Sequence, residues 1–211
     1  MKKPILPLKD FQRIFQTIHG VVLSEGLDAL TSCYFFAITG SEILKSHYKL
    51  KAIPVAGSVV YNLDNLNEVV IAFTNEFHSN SPIVEKPHHC WVQVEGWFID
   101  FTSPLFPEIL NSGGLDHTCR RKMFQKPLTE ASGSISELDT TGSFYYQSDP
   151  FLSSEAIGVS SSNQVCVDLQ QICVSWYKRP PKKMIETIRI RNGEGHIKSA
   201  SRTPIQIEGA W

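Results

Sequence analysis

No apolar run in the sequence is long enough to span a bilayer, which takes about 20 predominantly apolar residues, so no membrane span is expected. Neither charge is in excess. The 20 Lys and Arg stand against 21 Asp and Glu, and the formal net charge of -1 offers no broad attraction to phosphate backbones or anionic lipid. Nucleic acid and membrane surfaces are therefore not expected partners. Cysteine is sparse and odd in number, 5 residues at irregular spacing, which argues against a disulfide framework. The first residues, MKKPILPLKDF, carry basic side chains, but Pro4, Pro7, Lys9 and Asp10 break the apolar stretch that a signal-peptide core requires. Reduced thiols in a cytoplasm are the expectation. No segment repeats at a fixed period.

What is present is enough apolar material for a rigid core: 211 residues, 42% hydrophobic and 10% aromatic. Domains run to about 100 to 200 residues, so a single elaborated domain over residues 1–211 is expected. Phe11, Ile14, Phe15, Ile18 and Val22 recur at helical spacing and predict an amphipathic helix ending near Gly26. The stretch from Leu27 to Leu50 reads as a buried helix with Cys33 in its first turns and Asp28, Thr31 or Ser32 available as caps. KAIPVAGSVVYNL, EVVIAFT, HHCWVQV and WFIDFTS read as strands, giving an α+β fold in which a helix packs on an antiparallel sheet. Residues 105–163 are rich in Ser, Thr and Gly and are expected to form an irregular, partly mobile insertion. In the C-terminal part, 164–211, Val165, Leu169, Ile172, Cys173 and Trp176 share one helical face, Pro180-Pro181 stops the run, and MIETIRIRN and TPIQIEGAW supply one or two strands.

The hairpin carries the first chemical signal. If Glu95-Gly96 is its turn, Val94 pairs with Trp97, and counting outward sets Trp91 opposite Asp100 and His89 opposite Thr102. One face then holds Cys90, Val92, Val94, Trp97, Ile99 and Phe101, all apolar and suited to cover by helices. The other holds His89, Trp91, Gln93, Phe98, Asp100 and Thr102, which puts the His89 ring diagonally within reach of the Asp100 carboxylate. A carboxylate so placed fixes the imidazole tautomer and stabilises the imidazolium, the orienting role in a nucleophile-base-orienter triad. Cys33 fits as nucleophile, because a thiol at a helix N-terminus feels the positive end of the helix dipole and ionises more readily. Cys90, Cys166 and Cys173 read as packing residues, and Cys119 lies in the basic loop HTCRRK.

Two stretches resemble a known superfamily. SCYFFAITGSEILKSHYKLKAIPVAGSVVY is similar to the transglutaminase-like pattern of a Cys at the head of a helix followed by small and apolar residues and then a strand. HHCWVQVEGWFIDFTSP resembles that superfamily's later motifs, a His two residues before a Trp on one strand and an Asp on the next. The core of the resemblance covers residues 28–104. It implies a papain-like, transglutaminase-like fold with Cys33 as nucleophile, His89 as base and Asp100 as orienting group. It further implies a cysteine peptidase, other thiol hydrolase or acyltransferase that forms a thioester on an amide, ester or thioester substrate without a cofactor. FIDFTSP is as similar to the Asp strand of arylamine N-acetyltransferases, a neighbouring family. One departure stands out: papain-like proteases place a Gln shortly before the Cys to bind the oxyanion, whereas here that neighbourhood reads GLDALTSC, and Gln16 is too distant along the chain to take the part. The Cys33 backbone N–H is the expected oxyanion donor.

Rival readings attach to several of these residues. His88 would replace His89 on the Asp100 face if the turn were one residue longer, a register that mixes Val92 and Phe98 less cleanly with polar positions. His88, His89, Cys90, His117 and Cys119 are possible zinc ligands, but neither H-H-C nor H-x-C has the usual paired spacing. The basic run KRPPKK, Lys178 to Lys183, is either a docking patch or a solvated helix end. Trp91 is expected to shape a substrate cleft and Trp97 to pack in the core. A binding or scaffold protein that keeps the fold without turnover is the alternative function.

Overall fold

The computed structural model describes residues 4–74, 83–114 and 119–211. Helix α1, Leu8–Ser24, follows Pro7 and buries Phe11, Ile14, Phe15, Ile18, Val21 and Val22 along one stripe, as the spacing predicts. A single 3-10 turn, Ala29–Thr31, is capped by Asp28, whose carboxylate accepts from Leu30 N at 2.9 Å. It leads directly into α2, Cys33–Ile43, whose Phe35, Phe36, Ala37, Ile38 and Ile43 are buried around most of its circumference. A helix apolar on all sides belongs inside a fold, and α2 lies between α1, the helix Gln164–Trp176 and the sheet. A π turn, Leu44–Tyr48, carries it to Lys49, which ends the run at φ 61°.

The main sheet runs β3 (Ile83–Lys86), β2 (Val69–Phe73), β1 (Ile53–Asp64), β4 (His89–Val94), β5 (Trp97–Asp100) and β6 (Phe124–Pro127), with β7 (Phe144–Ser148) also paired to β1. All pairs are antiparallel except β2 with β3. The twelve-residue β1 is the spine: Ile53 to Gly57 pair with β4, Val59 to Asp64 with β2, and Gly57 to Tyr61 with β7. The sheet curls, bringing Phe144 of β7 to 5.0 Å and Tyr146 to 5.8 Å, ring to ring, from Phe98 of β5.

Both faces of this sheet are buried. Cys90, Val92, Val94, Trp97, Ile99 and Phe101 meet α1, α2 and α5 (Gln164–Trp176) in one core. Trp91, Phe98, Tyr61, Phe124 and Phe144 fill a second, aromatic core closed by Phe106, Ile109 and Leu110 from α3 (Phe106–Ser112) and the 3-10 turn before it. The chain is thus an α+β protein, helices packed on a curled, mainly antiparallel sheet. Among the described residues no helix is long and apolar enough to cross a membrane.

The stretch 105–163 departs from the irregular insertion its composition predicts. It supplies α3, strands β6 and β7 and helix α4, Pro150–Ser162, which takes up Ser153, Ser154, Gly158 and Ser160 to Ser162. Of the two C-terminal stretches, IETIRIRN forms β8 (Thr187–Arg191), which pairs with β9 (Ile197–Ser201), whereas TPIQIEGAW makes only an isolated bridge, Ala210 with Met123. Pro204 and the absence of a period-2 partner leave that tail to wrap the core, with Gln16 Nε2 donating to Ile205 O at 2.8 Å.

Gly57 is where the sheet divides, because it is paired with both His89 of β4 and Ser148 of β7. A Cβ there would sit 2.1 Å from Gln147 O, closer than any real contact allows. Gly57→Ala is expected to destabilise the protein by about 1–3 kcal/mol, the range for overpacking, measured as a lower midpoint of urea unfolding; an unchanged midpoint would show that β7 can move aside.

Candidate active site

Cys33 is the first residue of α2, with Ser32 as its flanking cap. The first intrahelical bond is made by Phe36 N to Ser32 O, so the N–H groups of Cys33, Tyr34 and Phe35 precede the ladder and point out of the helix end. Their summed dipole favours a thiolate at Cys33.

The hairpin delivers the partners. Glu95 and Gly96 both have positive φ, 49° and 78°, as a tight two-residue hairpin turn requires, and the register is Val94 with Trp97, Gln93 with Phe98 and Val92 with Ile99. The register drawn from the sequence is the one observed. His89 Nε2 lies 2.9 Å from Asp100 Oδ2 and 3.2 Å from Thr102 Oγ1. His88 is instead half-buried outside the core, its ring 5.4 Å from that of Tyr34.

Asp100 has no exposed surface, and its carboxylate is saturated with donors. It accepts from His89 Nε2, from Tyr61 Oη at 2.8 Å, from Thr102 N at 2.8 Å and from Thr102 Oγ1 at 2.6 Å. Burial alone would raise its pKa, but the His89 charge and these bonds together hold it below the usual carboxylate value. Burial likewise opposes a charged His89, and here Asp100, with Cys33 adding to it, overrides burial and lifts the ring to about 10. Phe73 stacks on the same ring at 4.1 Å, fixing its plane.

With Nε2 committed to Asp100, the ring nitrogen left over is Nδ1, which is buried and has no hydrogen-bond partner among the described residues. The Cys33 thiol lies against two groups, Cys90 and His89. The neighbouring Cys90 thiol is the larger influence; together with His89 it outweighs burial and holds the Cys33 thiol well below its ordinary value. Cys90 itself is pushed far up, first by burial and then by the Cys33 thiol beside it. Cys33, His89 and Asp100 are thus brought together from a helix head and two adjacent strands.

The other residues singled out from the sequence fall elsewhere. Trp91 does not line a cleft: it is fully buried, stacked on Phe98 at 5.1 Å and edge-on to Tyr146. Its face of the hairpin is the one the curled sheet closes over. Trp97 packs in the first core, as expected. Gln16 is held by Ile205 and is no oxyanion donor. His117 lies outside the described residues, and among those described no group of His, Cys, Asp and Glu could hold a metal ion. Cys173 is buried and Cys166 half-buried, while Cys119 is pushed up to about 11, chiefly by burial.

Sequence reasoning missed Tyr61, Cys90 as a partner of Cys33, and α4. Helix α4 starts where β7 ends and is pinned to β1 by Asp149 N to Ala56 O and Ala56 N to Ser153 Oγ, at 2.8 and 2.9 Å. Between it and α2 lies a hollow of about 380 Å³ whose walls include Tyr34, His88, Leu152, Ala156 and Val159. Tyr34 and His88 are the sequence neighbours of Cys33 and His89, which do not themselves line the hollow.

Compared with known proteins, the chain matches over residues 7–211 the family described as a protein of unknown function, DUF2026, and it belongs to that family. No curated protein matches it. It is similar to a solved crystal structure of a structural-genomics target, with 27% identity over 100% of this chain and 99% of the other and a TM-score of 0.85.

The electrostatics predict a thiol that is ionised well below pH 9. Carbamidomethylation of Cys33 by iodoacetamide, followed by peptide mass mapping across pH, is expected to reach its plateau rate before Cys119 begins to react. In Asp100→Asn the ring loses its counter-charge and the thiolate loses the imidazolium, which outweighs removal of the Asp100 charge itself, so the midpoint is expected to move up. An unmoved midpoint would mean that Asp100 does not act on Cys33 through His89.

Proposed function

We propose that this member of the DUF2026 family is a cysteine-nucleophile hydrolase or acyltransferase of papain-like, transglutaminase-like architecture. The observation that carries the reading is the contact of a helix-head thiol with an imidazole whose far nitrogen is held at 2.9 Å by a fully buried carboxylate. A structural cysteine needs no such neighbours; a thiol that must be ionised near neutral pH needs all of them.

In this mechanism the Cys33 thiolate attacks the carbonyl carbon of an amide, ester or thioester. The developing oxyanion turns toward the free N–H groups at the start of α2, that of Cys33 first. His89 Nδ1–H gives its proton to the leaving group, the tetrahedral adduct collapses, and the acyl group remains on Cys33 as a thioester. Neutral His89 then takes a proton from water, for hydrolysis, or from an amine, alcohol or thiol, for transfer, as that nucleophile attacks the thioester carbonyl; the acyl carbon–sulfur bond breaks, the acyl product leaves, and Cys33 thiolate and protonated His89 are restored. Asp100, fixed by Tyr61 and Thr102, keeps Nε2–H pointed at itself throughout and so leaves Nδ1 for the chemistry. The hollow against α4 is mixed, with Leu152, Ala156 and Val159 beside Glu155, Ser160 and His88, which supports an acyl or side-chain group that is mainly apolar and carries a polar atom.

The test is labelling of the intact protein with an acyl-type, thiol-reactive activity probe, the modified residue being mapped by mass spectrometry. Cys33 is expected to carry the label and Cys33→Ser to lose it; labelling of Cys119 or Cys166 in preference, or none at all, would instead support a non-catalytic binding protein. Ala156→Trp fills the hollow and is expected to slow a bulky aryl-acyl probe by about tenfold while leaving iodoacetamide untouched, about what the loss of one well-packed apolar contact gives. Equal slowing of both reagents would move the acyl site elsewhere.

A further inference from the structure

A groove of about 580 Å³ lies away from Cys33, between the C-terminal end of α5 and strand β8. Its floor is apolar, formed by Ile172, Trp176, Met184 and Ile188. Its rim is basic: Lys178 and Lys183 come from the two ends of KRPPKK, and Arg189 and Arg191 from β8. No Asp or Glu lines it. Lys183, Arg189 and Arg191 have no salt-bridge partner among the described residues, whereas nearby Arg202 is neutralised by Glu186. In a chain whose net charge is -1, four cations on one groove are a local arrangement and not a consequence of composition.

The backbone adds a second requirement. Among the described residues β8 pairs only with β9, so one edge of β8 has no strand beside it. A two-stranded sheet is marginal by itself, and an open edge offers unpaired N–H and C=O groups to another chain. Along β8, Ile188 and Ile190 are half-buried toward the helix side, while Thr187, Arg189 and Arg191 are exposed. Ile185, just before the strand, is 64% exposed on the same groove.

We propose that β8 and this groove are a docking site for an extended acidic segment of a partner protein, which adds as a third strand beside β8. Its alternate apolar side chains cover Ile185, Ile188 and Trp176, and its carboxylates meet Lys183, Arg189 and Arg191. Main-chain pairing supplies affinity and the cations select acidic sequences, the division of labour in strand addition. The run KRPPKK, left between a docking patch and a solvated helix end by sequence alone, contributes the far rim through Lys178 and Lys183.

The test uses the full chain and a short fluorescein-labelled peptide of alternating valine and glutamate, titrated by fluorescence anisotropy. Saturable binding is expected, weakened about tenfold or more by raised salt and by the double variant Arg189→Glu with Arg191→Glu. Both arginines are exposed, and circular dichroism confirms that the variant is folded. A valine–lysine peptide is expected not to bind. A valine–glutamate peptide N-methylated at alternate amides along one edge keeps the charge and the apolar groups but cannot pair, and is expected to bind about tenfold more weakly or worse. Failure of the glutamate peptide to bind, equal binding of the lysine peptide, or full binding of the N-methylated peptide each overturns the proposal. Saturable binding of sodium dodecanoate where the glutamate peptide does not bind would overturn it in favour of a small amphiphile.

Discussion

Placing an ionised carboxylate where water cannot reach it costs several kcal/mol unless nearly every lone pair is met by a donor and a counter-charge stands in contact. Asp100 is such a carboxylate, with no exposed surface in the middle of an aromatic core. Its four donors come from three places: the His89 ring on the neighbouring strand, the Tyr61 hydroxyl on the sheet's spine, and the backbone and side chain of Thr102 just beyond β5. Each must be held to within a few tenths of an ångström, so β1, β4 and β5 are tied to one register by the polar centre as much as by their ladders. The same bonds fix the face of the His89 ring and leave its Nδ1 over.

That arrangement explains why the rest of the architecture is so thoroughly apolar. Phe73 stacked on His89, and Phe106 and Phe124 against Tyr61, exclude water from the ion pair and so strengthen every interaction within it. The helix side meets a different need. Cys90 belongs to the apolar face packed on α2, yet its thiol lies beside that of Cys33. Of two consecutive hairpin residues, His89 therefore faces Asp100 and Cys90 faces α2, a result of adjacent strand residues pointing to opposite faces.

The amphipathic stripe of α1 and the buried helix with Cys33 in its first turns were legible because their periods and caps are local properties of the chain. So was the hairpin: a Glu-Gly turn admits one register that keeps Val92, Val94, Trp97, Ile99 and Phe101 on a single face, and that register sets His89 against Asp100. Trp91 was misjudged for a related reason. Alternation assigns a residue to a face, but not whether that face is open, and the curl of the sheet closes the second face with Phe98 and Tyr146. Strands β6 and β7 were hidden because they are short and lie among Ser, Thr and Gly, and their pairing partners β5 and β1 are distant in sequence.

The sequence by itself favoured the pairing of His89 with Asp100 over that of His88, since a two-residue turn and a period of two keep one face of the hairpin apolar. It also placed Cys33 in the first turns of a buried helix; that the helix begins at Cys33 itself, after a separate turn, is seen only in the structure. Only the tertiary structure decided that these two local facts meet. Bringing α2 onto the start of β4, adding Tyr61 from β1, pinning α4 to β1 and setting KRPPKK across a groove from β8 all depend on contacts between segments far apart in the chain. Such contacts are chosen by how whole faces bury against one another, and no local period encodes that choice.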